Sequence, residues 1–206
     1  MVTGVDEWNS EQQSRSTLLD RGRAVLRLPG RRMIEPMNTN DVLADAFSRI
    51  KEEVHSAANG LSAAGLQYRP DADANSIGWL VWHLARVQDD HVAHLAGRRQ
   101  AYVDDGWAER LGLVADEGDL GYGHTSQQVA AVKFDSPDTV VAYFDEVHAR
   151  SLEYVAAIDA TELDRVVDER WDPPVTAGVR IVSVIDDCMN HAGQANYVRG
   201  MLDRIA

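Results

Sequence analysis

The stretch from Arg180 to Asp203, RIVSVIDDCMNHAGQANYVRGMLD, places the tightest constraint on the fold. Ile181, Val184, Ile185, Cys188, Ala192, Ala195, Val198 and Leu202 recur at the three-and-four spacing of an amphipathic helix with one face in a core. Asp187 and His191 lie beside that face, four residues apart, so their side chains project about 40° and about 6 Å from one another. A carboxylate and an imidazole at this spacing can hold one metal ion, as two histidines do in a His-x-x-x-His pair. A third ligand must come from elsewhere.

Three further segments carry the same period. The first runs from about Asp41, capped by Thr39 or Asn40, to about Asn59, with Gly60 as its stop and Val42, Ala46, Phe47, Ile50 and Val54 inward. The second, NSIGWLVWHLARVQDDHVAHLAG, is capped by Asn75 or Ser76 and ends at Gly97. The third starts at Ser136-Pro137-Asp138, a cap, a first-turn proline and an acid for the helix dipole, and continues to about Ile158. Between Gly97 and Ser136 the chain is glycine-rich, with short helical pieces expected at Trp107–Leu111 and Ser126–Val132. A helical turn is expected within Thr161–Asp168, and Trp171-Asp172-Pro173-Pro174 forbids helix. With no convincing strand and no repeat, four long helices predict an all-α four-helix bundle.

At 45% hydrophobic residues over 206 positions, the chain suits one core domain plus extensions. Residues 37–206 are read as that domain. Residues 1–36 form an extension rich in arginine (Arg15, Arg21, Arg23, Arg27, Arg31, Arg32), either a basic arm for a partner or a packed short helix near Thr17–Leu26; Met33 and Met37 are alternative starts. A formal charge of -13 repels nucleic-acid phosphates and anionic membranes, so neither is an expected partner. The absence of a spanning or secretory run and a single cysteine, Cys188, predict a soluble cytoplasmic protein.

Bundles build metal sites from inward side chains on different helices, so His83 of the second helix can meet Asp187 and His191 of the last. Two imidazoles and a carboxylate leave room for water or substrate. On spacing alone alternatives stay open: His83 as a buried neutral histidine, Asp187 as a solvated carboxylate or an arginine's partner. His91 and His94 read as packing or rim residues, and His55 and His148 as undecided between core and solvent. GYGHTS, residues 121–126, is either a lid presenting Tyr122 and His124 or a helix-capping turn. Arg86 and Arg199 are candidates for holding an anionic substrate. Cys188 reads as core.

The pairing of a Trp-Leu-Val-Trp-His-Leu-Ala helix (residues 79–85) with a late Asp-x-x-x-His-Ala-Gly-Gln helix (residues 187–194) resembles the DinB/YfiT-like metal-binding superfamily, over roughly residues 37–206. That superfamily includes mycothiol-dependent maleylpyruvate isomerases and bacillithiol transferases. The resemblance implies a divalent ion on His83, Asp187 and His191, zinc first and nickel second. Many members have histidine at the position of Asp187 and the isomerases glutamate; the shorter aspartate keeps the carboxylate and sets the ion nearer the helix. It further implies a thiol transferase or isomerase in which a low-molecular-weight thiol such as mycothiol is activated as a metal-bound thiolate toward a small electrophile. Metal-water hydrolysis is the second enzymatic reading, and an Fe(II) oxygenase a remote third. A non-catalytic metal-binding bundle, as a monomer or a homodimer, is the non-enzymatic one.

Overall fold

A computed structural model of the chain describes residues 36–205. The N-terminal helix expected near Thr17–Leu26 lies outside the described residues. Helix α1 spans Thr39–Ala58, and its cap is Asn38, one residue before the expected pair. The Asn38 side chain accepts from the Asp41 amide at 3.0 Å while the Asp41 carboxylate accepts from the Asn38 amide at 2.9 Å, a reciprocal box that Thr39 could not complete. A one-turn helix, α2, covers Ala63–Leu66. Helix α3, Ile77–Leu95, starts at Ser76, whose hydroxyl accepts from the Trp79 amide.

The glycine-rich connection that follows holds three short helices, α4 (Ala101–Asp104), α5 (Trp107–Arg110) and α6 (Ser126–Ala131), of which only α4 gave no sequence signal. Helix α7 spans Pro137–Ala157 behind its Ser136 cap, and α8 is Ala160–Asp164. Two short strands, β1 (Val166–Asp168) and β2 (Val175–Thr176), then pair antiparallel around the proline-rich turn. Sequence patterning missed this hairpin. Helix α9, Ala177–Leu202, begins three residues before the expected start because Thr176 caps it at the end of β2.

The four long helices pack in a ring in which α3 and α1 each contact both α7 and α9. Helix α3 is buried along nearly its whole length, from Ile77 to Asp89, not on one stripe alone. On α1 the inner row is Phe47, Ile50, Val54 and Ala57, while Val42, expected inward, is exposed. From α9, Ile181, Val184, Cys188, Ala192, Ala195 and Val198 enter the core as expected. Met37–Ala206 group as one compact unit. Among the described residues no helix is long and apolar enough to cross a membrane.

Candidate metal centre

The α3–α9 contact brings His83, Asp187 and His191 together. One ligand atom from each can be chosen so that all lie within 4.8 Å of one another. The two imidazole rings stand 4.6 Å apart at 65°, edge to face. His83 is buried, and Asp187 and His191 are half-buried.

Each histidine is oriented by a main-chain carbonyl. His83 Nδ1 faces the Leu120 carbonyl in a short hydrogen bond, and His191 Nδ1 lies 2.8 Å from the Asp187 carbonyl one turn back on its own helix. A carbonyl only accepts, so both Nδ1 atoms carry a proton, and in a neutral imidazole of this tautomer Nε2 is the lone-pair atom. Burial pushes the His83 pKa below its ordinary value, with the Leu120 carbonyl opposing. His83 is therefore a neutral donor at pH 7.

Asp187 supplies the most informative atom. Its Oδ2 is buried with no hydrogen-bond partner, and the nearest imidazole nitrogen, His191 Nδ1, is 3.5 Å away and committed to the carbonyl. A buried carboxylate oxygen without a donor costs about 1–3 kcal/mol or more. A cation shared with two Nε2 lone pairs removes that cost, and two imidazoles with one carboxylate are borderline-hard donors suited to zinc and its neighbours. The donor set fits a divalent ion.

The 121–126 segment is a helix-capping turn, and its first residues lie against His83. Thr125 caps α6 through a reciprocal pairing with Gln128, and the residues before it pack over the site. Gly121 has φ +92°, and a Cβ there would stand 2.9 Å from Trp79, 3.0 Å from Trp82 and 3.1 Å from His83 Nδ1, so only glycine lets Leu120 reach the imidazole. The Tyr122 ring meets His83 edge-on at 5.0 Å. Tyr122 keeps its proton, its pKa pushed up to about 12 by desolvation and then by Asp187. His124 is not part of the cluster: its Nδ1 accepts from the Trp79 indole at 3.2 Å and its Nε2 faces Asp119 at 2.8 Å.

Both arginines named from the sequence are engaged with other groups of the chain. Arg86 is fully buried, its guanidinium spent on loop carbonyls and Gln100. Arg199 pairs with Asp203 at 2.9 Å and donates to the carbonyls of Ala57 and Asn59, tying α9 to the end of α1. Arg180, at the start of α9, donates to His91 Nδ1 at 3.2 Å and pairs with Asp168 at 3.4 Å. His91 is half-buried and His94 exposed, as rim residues should be. Cys188 is buried and donates toward the Leu84 carbonyl at 3.5 Å; burial pushes its thiol pKa well up, which removes it as a nucleophile.

A helical bundle with a two-histidine, one-carboxylate cluster between two of its long helices belongs to the class of bundle proteins with a candidate metal centre. The chain is a member of the DinB superfamily, whose sequence model matches residues 46–195. A crystal structure of a conserved protein from Enterococcus faecalis is similar to it, with 29% identity and a TM-score of 0.74 over 80% of this chain and 96% of that one. No curated protein matches the chain.

Proposed function

We propose that His83, Asp187 and His191 hold one divalent cation, zinc by donor chemistry, and that the site activates a low-molecular-weight thiol for transfer to, or isomerisation of, a small electrophile. The observation that carries the metal reading is the buried, unpartnered Asp187 Oδ2 in a cluster where His83, His191 and Asp187 each bring a ligand atom within 4.8 Å of the others. The thiol rests on the likeness to mycothiol- and bacillithiol-dependent members of the superfamily. When bound, a divalent cation supplies Lewis acidity, which lowers the pKa of a thiol or water that joins it. The chain's own groups do the rest. Leu120 and Asp187 carbonyls fix both imidazoles, Asp187 offsets cationic charge, and Tyr122, protonated at neutral pH, walls one side and can donate a hydrogen bond.

The test has two stages. Elemental analysis of His191→Ala should show loss of stoichiometric metal with far-UV helicity retained, because bundle stability comes from apolar burial; full metal retention overturns the site. Zinc-loaded protein is then mixed with a low-molecular-weight thiol and a maleyl or chloro-aromatic electrophile. Thiol consumption should exceed that of a His83→Ala control. No excess across several thiols overturns the transferase reading and leaves the non-catalytic metal-binding bundle.

A further inference from the structure

Helix α3 buries a full positive charge one turn beyond His83. Arg86 has no exposed surface, and its nearest carboxylate, Asp89, is 3.9 Å away and already accepts from the Ala101 and Tyr102 amides and the Tyr143 hydroxyl. Desolvating a guanidinium costs several kcal/mol unless its donors are met. What the charge secures is loop position. Arg86 Nη2 donates to the carbonyls of Asp116 at 3.2 Å and Glu117 at 3.1 Å, and Nε to that of Asp119 at 3.3 Å. Nη1 grips Gln100 Oε1 at 2.7 Å, and the Gln100 amide donates to the same Glu117 carbonyl at 3.2 Å. Tyr102 supports the guanidinium face at 3.8 Å.

The residue after this clamped stretch is Leu120, whose carbonyl takes the His83 Nδ1 proton. We propose that Arg86 is a positioning residue for His83: by clamping Asp116–Asp119 it sets the Leu120 carbonyl, and with it the tautomer that puts the lone pair on Nε2. The inference rests on the metal reading only for its consequence, since the tautomer exists with or without an ion. Arginine is needed because its planar fork reaches several carbonyls at once; a lysine ammonium keeps the charge and loses the fork. Methionine keeps the volume and loses both.

Two-dimensional 1H–15N spectra of the imidazoles in metal-free protein, with zinc affinity by chelator competition, separate this from a role in stability alone. Wild type should show a single Nδ1–H tautomer for His83. Arg86→Met and Arg86→Lys should show tautomer mixing and bind zinc about tenfold more weakly, beyond whatever fall in thermal midpoint the unmet carbonyls bring. A single unchanged tautomer with wild-type zinc affinity in the folded variants overturns the proposal. Should Arg86→Met not fold, Arg86→Lys decides by the same two readouts. Wild-type protein that binds no zinc would sink the metal reading, while the tautomer comparison would still judge Arg86.

Discussion

His148 on α7 is a polar group the core holds without satisfying it. It is 5% exposed, its Nδ1 has no hydrogen-bond partner, and its ring stacks on Phe144 at 5.9 Å. Burial pushes its pKa down to about 4, with Lys51 and His55 of α1 acting the same way and Asp145 on its own helix opposing. The sign follows from proton counting. An unfolded histidine takes its proton near 6.5 and the folded one only near 4, so between those values the unfolded state binds more protons. The His148 contribution is thus fully present above pH 6.5 and is lost as pH falls toward 4. By pH 5 the loss should reach about 2 kcal/mol. Urea unfolding of wild type and His148→Leu at pH 7 and pH 5 checks this: the variant should lose about 2 kcal/mol less across the interval, and equal losses would remove His148 as the cause. Periodicity alone left this histidine undecided between core and solvent, because the flank of a helical stripe becomes interior or surface only when the neighbouring helix is in place. The loop contacts of Arg86 left no sequence signal for a related reason: most of its partners are main-chain carbonyls, which leave no mark on side-chain pattern.

Among the elements, the long helices were legible because their end signals are local. Ser76 and Ser136 cap the helices they were expected to cap, and Gly60 and Gly97 sit at positive φ just past the ends of α1 and α3. The β1–β2 hairpin was not, since strands of three and two residues are too short to display alternation. The triad was legible from a four-residue spacing on one helix and a core-facing histidine on another. The carbonyl that orients His83 was not, lying 37 residues away in a loop. Gly121 offers the sharpest test of that loop. Its Cβ would collide with Trp79 and Trp82 and press on His83 Nδ1, whereas a Cβ at Gly123, also at positive φ (+70°), meets nothing within 4 Å. Both Gly→Ala changes carry backbone strain, and only Gly121→Ala adds crowding of about 1–3 kcal/mol. Gly121→Ala should therefore melt lower than Gly123→Ala and bind zinc more weakly by chelator competition. Indistinguishable variants would mean that the loop does not press on the site.

For the whole molecule, the proposed ion joins α3 to α9, helices whose ligands are separated by the entire glycine-rich connection and α7. The core needs no ion to form: Phe47, Leu80, Leu84, Phe144 and Ile181 are buried by one another, so EDTA-treated protein should keep its helicity, unlike a zinc finger. Metal enters as a ligand of the folded state, worth about 2.7 kcal/mol at a hundredfold excess over Kd, or roughly 5–10 °C in Tm for a domain of this size. Metal-free protein also carries the cost of the unpartnered Asp187 Oδ2. Removing that charge should relieve the folded state when no cation is present and forfeit the cation's contribution when one is. Asp187→Asn should therefore melt at or above wild type in EDTA and below it in zinc, so that the order of the two proteins reverses with the ion. A variant that is destabilised equally in both conditions would show that Asp187 is structural and that its buried oxygen does not await a cation.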